Sequence, residues 1–431
     1  MRVRYDVEAS DYDDAGIIQG SGRVLFESGA IYTGNFKNNL FHGFGKLVLN
    51  NGMYYTGNFH NGQINGEGKI IYGDGSSYEG QFYECKRHGQ GNFISATGDL
   101  YKGEFQYDAI SGQGEMLYAN KNRYVGSFLS NTCHGSGIFH YSNGDVFDGL
   151  FRYNIRIGRG IMKYNNGDIY TGFWSNNLRD GQGNMQYSNG SIYDGDWCDD
   201  KRQGSGLLTH ANGDSYNGTF INNLPHGVGT FQYENGDRYE GTWEHGMQSG
   251  TGIFIHHSGS KYEGGWKEGK RHGLGRFVSM DRHTYHGNYE RNFMHGVGKF
   301  VWANGDYYEG SFKENQMHGR GKIVHKSGNV FVGEFKNDMK DGKGKLYNIN
   351  GIIFNGFWRS GKMKVPLAHK VPIRKPVIEN ESVILPEESM LVSDDESEWS
   401  QPSHITPSPN FREKFPITEN SYKPSVIIEN P

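Results

Sequence analysis

Aromatic residues recur every 23 positions along most of this chain. Tyr32, Tyr55, Tyr78, Tyr101, Tyr124, Phe147, Tyr170, Tyr193, Tyr216, Tyr239, Tyr262, Tyr285, Tyr308, Phe331 and Phe354 keep that step without an insertion or deletion. Two residues after each stands a glycine, from Gly34 to Gly356, and four after each a second aromatic, from Phe36 to Trp358. Two more glycines follow eleven and thirteen positions on, as in Gly227 and Gly229. A fixed period of this size marks a repeat architecture, in which a unit can bury its apolar face only against its neighbours. A length of 431 residues would otherwise suggest two or three globular domains, and the repeat displaces that estimate.

Alternation divides the unit into two strands. In Tyr216-Asn-Gly218-Thr-Phe220 the aromatics and the glycine fall on every second position and share one face. In Gly227-Val-Gly229-Thr-Phe231-Gln-Tyr233 the two glycines, Phe231 and Tyr233 are placed likewise. Asn235-Gly236 then predicts a type I′ hairpin turn, since both its central residues need positive φ. Glycine inside a strand costs stability. It is accounted for here if rings lie across the glycines, leaving no room for a Cβ.

The pattern Tyr-x-Gly-x-(Phe/Trp), followed by Gly-x-Gly and Asn-Gly at this spacing, resembles the MORN repeat (membrane occupation and recognition nexus). The resemblance implies an all-β, elongated, single-layer antiparallel array of hairpins, used in scaffolding or in attachment to membranes and cytoskeleton. Some members of the family carry a lipid kinase or methyltransferase domain beside the repeats. The segment after residue 364 is too short and too polar to be either.

Three segments are expected: residues 1–19 as an arm or cap over the first sheet edge, 20–364 as 15 hairpins, and 365–431 as a disordered acidic tail. Ten of the 11 prolines fall in that last segment, with 11 acidic and 6 basic residues and no period. Ser393, Ser397, Thr406 and Ser408 in it stand among acids or before proline, as phosphorylation sites do. The 65 glycines are periodic and so do not signal disorder, and 35% hydrophobic residues suit a sheet with solvated surfaces. A net charge of -4 disfavours nucleic acid as a partner. Cys85, Cys133 and Cys198 sit at unrelated places in their repeats, which argues for free thiols and a reducing cytoplasm.

No catalytic constellation recurs, and neither cofactor nor metal is expected. The P-loop-like strings Gly264–Lys270 and Gly356–Lys362 lack the following Ser or Thr and lead into no helix. Seven histidines share one column (His42, His88, His134, His226, His272, His295 and His318), but successive members lie two strands, about 10 Å, apart. That is too far for one zinc ion.

The resemblance to the MORN repeat implies two functions, held here as expectations. The first is a non-enzymatic scaffold linking cytoskeletal or axonemal proteins, cytoplasmic and cytoskeleton-associated, in a cilium or flagellum among other places. The alternative is a peripheral tether for anionic phospholipids such as phosphoinositides. Lys86, Arg87, Lys201, Arg202, Lys270 and Arg271 are its candidate contacts, since they fall at equivalent connections and would project from one sheet edge. Ile352, Ile353, Phe354, Phe357 and Trp358 form the most apolar first strand, followed only by the tail. An unpaired edge seeks another strand, so a homodimer through the C-terminal repeats is expected.

Overall fold

The computed structural model describes residues 8–12 and 17–367. Two units divide the chain, residues 1–211 and 212–431. In each, the described residues form antiparallel strands joined by short turns, without helices. The first unit runs from Glu8–Tyr12 to Lys201–Thr209, and the second from Ser215–Ile221 to Lys362–Leu367. Hairpin follows hairpin in chain order, so the fold class is the expected all-β hairpin array.

One repeat shows how the sequence builds this. Ser215–Ile221 pairs with Leu224–Gln232, placing Tyr216 opposite Phe231 and Gly218 opposite Gly229. The Tyr216 ring lies flat across both of these glycines. A Cβ on Gly229 would stand 2.3 Å from Tyr216 Oη, and one on Gly218 2.6 Å from the Gly229 Cα. Tyr216 is fully buried although only one layer of sheet lies beneath it, because Phe220 meets it edge-on at 5.1 Å and Trp243 of the next repeat at 5.1 Å. Asn217, on the opposite face, is exposed. The expected faces are therefore correct, and the buried layer consists of rings laid on glycine backbone.

The first glycine of Gly-x-Gly has a different duty from the one expected. Beyond the Gly218–Gly229 pair the register slips, so that Phe220 faces Pro225 and the second strand carries two extra residues. Gly227 takes up the slip at φ +67°, where an L-residue is strained. It lies against the Thr219 side chain rather than under a ring. The slip also frees a carbonyl, and the Tyr216 hydroxyl donates to it at Thr219 O (3.0 Å). This phenol–carbonyl bond recurs from Tyr32 to Tyr308, for instance Tyr32 to Asn35 O (2.9 Å) and Tyr308 to Ser311 O (2.9 Å).

The turn assignment is corrected. At Asn235-Gly236 only Gly236 has positive φ (+91°); its N–H donates to Tyr233 O (3.0 Å), and Tyr233 N–H donates to Asp237 O (2.9 Å). This is a type I turn closed by a left-handed glycine. The I′ geometry occurs at the other connection, where Asn222 and Asn223 have φ of +49° and +70°. Its second residue ties one repeat to the preceding one. Asn177 Oδ1 accepts the Arg156 N–H (2.8 Å) while Asn177 N–H donates to Arg156 O (3.2 Å). A second ladder joins the glycine turns: Asp145 Oδ1 accepts the Asn165 N–H (2.8 Å) and Asp168 Oδ1 the Ser188 N–H (2.7 Å). Repeats are thus fastened at both margins by backbone groups that would otherwise lack partners.

Both outer edges of the array carry a further paired strand. Glu8–Tyr12, within the arm, is itself a strand paired with Ile18–Leu25. The apolar strand Ile353–Arg359 is not an open edge, because Lys362–Leu367 pairs with it, Trp358 opposite Met363 and Phe357 opposite Val365. A dimer built on that strand would have to displace this pairing. The strand also runs three residues past the expected boundary at residue 364.

Candidate functional site

A residue nine positions after each first-strand ring opens the second strand, and the rings from Tyr32 to Phe331 lie buried beneath this column, while Phe354 stays exposed. This lid column varies along the chain while the rings beneath it do not. It reads Phe41, Ile64, Arg87, Ile110, Cys133, Arg156, Arg179 and Arg202 in the first unit, then Pro225, Gln248, Arg271, Met294, Met317, Lys340 and Met363 in the second.

In the first unit the arginine lids lie on aromatic faces. The Arg179 guanidinium carbon is 4.4 Å from the Trp197 ring centroid and 5.7 Å from that of Tyr170. Its Nε donates to Asp200 Oδ1 (2.8 Å) and its Nη2 to Asp200 O (3.0 Å), so the I′ turn residue neutralises the buried charge. Arg87 and Asp108 repeat the arrangement, with Nε to Oδ1 at 3.3 Å. Arg156 departs from it. Its guanidinium carbon sits 4.5 Å from Trp174, and Nη2 donates to Asn177 O (2.7 Å), but Asn177 has no carboxylate to offer. Arg156 forms no ion pair among the described residues, and its buried Nε has no hydrogen-bond partner among them.

Arg156 and Arg179 border a groove of about 310 Å³, walled by Tyr141, Tyr164 and Trp174 and closed by Asp145 and Asp200. Burial raises the Tyr141 and Tyr164 phenols above their ordinary range, and the guanidiniums of Arg156 and Arg179, respectively, act in the opposite direction. Both phenols stay neutral and can donate or accept. Cations stacked on aromatic rings beside neutral hydroxyls can clamp a planar or anionic group of a peptide. No nucleophile and base stand together in the groove.

The expected lipid contacts separate. Lys86, Lys201 and Lys270 are exposed on one face. Arg87, Arg202 and Arg271 fold onto the other, over rings: Arg87 is 4.9 Å from Phe93, Arg202 5.6 Å from Tyr193 and Arg271 5.2 Å from Tyr289. These residues open a strand rather than sit in a loop, so neighbours in sequence point to opposite faces. The single cationic edge is therefore absent at these positions. Ser393, Ser397, Thr406 and Ser408 lie outside the described residues. Ile353 is half-buried, Trp358 buried, and Ile352, Phe354 and Phe357 are exposed at 37–46%.

Sequence reasoning missed the lid column because no single residue type fills it. It also missed a second cationic feature in the other unit. Fourteen positions after four successive aromatics stand Arg276, Lys299, Lys322 and Lys345, on the face opposite the rings. Arg276, Lys299 and Lys345 are exposed and Lys322 half-exposed, and none of the four makes an ion pair among the described residues.

Among solved structures, the chain is similar to the TCP domain of Drosophila melanogaster SAS-4 in complex with a proline-rich motif of Ana2. That match has 18% identity over 40% of this chain and 82% of that one, with a TM-score of 0.21. The Danio rerio CPAP domain in complex with a STIL peptide matches at 10% identity over 73% and 98%, TM-score 0.22. Virginiamycin B lyase from Staphylococcus aureus matches at 11% identity over 69% and 85%, TM-score 0.11. Scores this low carry no argument about function. No curated protein matches the chain. The MORN repeat model matches 14 consecutive times across residues 32–352, in the register set by the aromatic column. With ring, glycine pair and turn each accounted for in the fold, the chain belongs to the MORN-repeat family.

Proposed function

We propose that this protein is a non-catalytic scaffold that holds other proteins on its ring-bearing face, and that the groove around Arg156 and Arg179 is a docking point. The observation supporting this is a groove of two guanidiniums and three aromatic rings on a backbone latched at both margins. Arg, Tyr and Trp are the residues that anchor protein interfaces. Family membership supports the wider reading: a cytoplasmic link between cytoskeletal or axonemal components, in a cilium or elsewhere. Proximity labelling of the tagged chain tests both levels. Cytoskeletal proteins should dominate the labelled set, and Arg156→Met with Arg179→Met should remove a subset while the chain stays folded. A set without cytoskeletal proteins overturns the wider reading; one unchanged by the double variant overturns the groove.

The column Arg276, Lys299, Lys322 and Lys345 supports a second reading, attachment to anionic lipid. Successive members lie about 10 Å apart, close enough to act together on a charged surface at low salt. Glu309 and Glu334 face these strands and weaken the field. Vesicles of phosphatidylserine and phosphatidylcholine should bind the native chain, less so at high salt, and should release Lys299→Glu with Lys322→Glu. Binding insensitive to salt or to these changes excludes this reading.

A further inference from the structure

We propose that Asp237, His256 and His257, in the second unit, form a zinc site that fastens two successive glycine turns. The later turn reads His256-His257-Ser258-Gly259 and closes like the others, with Gly259 N–H donating to His256 O (2.8 Å). Asp237, from the turn before, accepts the His257 N–H at Oδ1 (2.8 Å), which is the ladder contact Asp145, Asp168 and Asp214 make in their own repeats. Here alone both residues facing the ladder carboxylate are imidazoles. His257 Nδ1 lies 3.0 Å from Asp237 Oδ1 and His256 Nε2 lies 3.7 Å from it, with ring centroids 4.1 Å apart. All three donor atoms fall within 4.8 Å of one another.

Zinc takes imidazole nitrogen and carboxylate oxygen at about 2.0–2.2 Å in a tetrahedron, which sets donors roughly 3.3–3.6 Å apart. The observed spacings bracket that value, so small rotations of two partly exposed rings complete the set. Ligation through His256 Nε2 needs the ring proton on Nδ1; the Ser258 hydroxyl, 2.7 Å from that atom, can accept it once the ring turns away from the Ser258 N–H, which donates to Nδ1 at 3.2 Å. His257 is 53% exposed, which leaves the fourth position open to water. The next comparable ladder acid, Asp306, has His325 at 3.0 Å but Lys326 where the second imidazole would stand. Two nitrogens and one oxygen suit zinc better than magnesium or calcium.

Calorimetric titration of the full chain with zinc chloride should give one ion per chain. Asp237→Asn and His257→Ala should each weaken binding at least about tenfold, the scale on which lost ligands or their supports act. Asn122 and Asn329 occupy the same ladder position naturally, so Asp237→Asn should unfold at the wild-type temperature when zinc is absent. Cobalt should produce a visible spectrum without thiolate charge transfer. The proposal is overturned by an absence of saturable binding, by binding that survives both variants, or by binding lost in Cys198→Ser. The last outcome would move the ion to Asp180, Cys198 and Asp199, the other donor cluster.

Discussion

The repeats around Arg156 and Arg179 and those around Met294 and Met317 share one backbone plan but cover their rings differently. In the first of these regions the lids are cations held by the next turn, and a polar groove stays open above them. In the second, Met294 and Met317 are buried to 8% and 6% and join Tyr285, Phe300, Tyr308 and Phe331 in one apolar cluster. Methionine bends to fill whatever space the rings leave; guanidinium stays planar and needs a counter-charge. The lid is thus the position where a repeat can change its surface chemistry without altering its fold.

If the two regions do share their foundation, alkali should destroy both together. Burial raises Tyr32 and Tyr262 to about 12 from an ordinary 10.0, and the other column tyrosines higher. A raised acid stabilises the fold fully below its unfolded value and less as pH climbs through the folded one. Circular dichroism should therefore hold up to about pH 10 and collapse above it; loss of one unit well before the other would break the comparison. Nearly as large, Gly218→Val in the second unit and Gly172→Val in the first should each cost about 3 kcal/mol, since both Cβ atoms meet a tyrosine 2.4–2.6 Å away. Asn217→Ala, on the solvated face, should change the melting temperature little.

The lids themselves should respond unequally. Met294→Ala opens a cavity and should cost about 2–4 kcal/mol in denaturant titrations. Arg179→Met should stay within about 1.5 kcal/mol of wild type because it substitutes one ring cover for another. A larger loss for Arg179→Met would mean that its ion pair, rather than its packing, holds the repeat. Smaller than the methionine truncation is Tyr216→Phe, about 1 kcal/mol for one hydrogen bond. Phe147 and Phe331 already occupy that column, so folding should survive.

Much of this was legible in the sequence because period, alternation and glycine placement constrain one another. The faces of Asn217 and Gly218 and the division of each unit into two strands followed from alternation. The arrangement at the lids did not. Arg87 and Lys86 look alike in sequence, and only the strand beginning at residue 86 sends one onto a ring and the other into solvent. Asn-Gly was read as a I′ turn on its usual preference, whereas the two-residue register slip beside Gly227 gave that geometry to the Asn222-Asn223 connection.

The sequence by itself determined that the chain is a ladder of near-identical hairpins, since a 23-residue period of aromatic and glycine has no other way to bury its rings. Tertiary structure alone decided which variable residues meet. Asp200 reaches Arg179, and Asp237 reaches His256 and His257, across 20 or so residues of sequence because hairpins stack side by side. Contacts between successive repeats depend on register and turn geometry. Those are set by backbone hydrogen bonds common to every repeat, so the period fixes the framework and carries no information about the particular pair placed upon it.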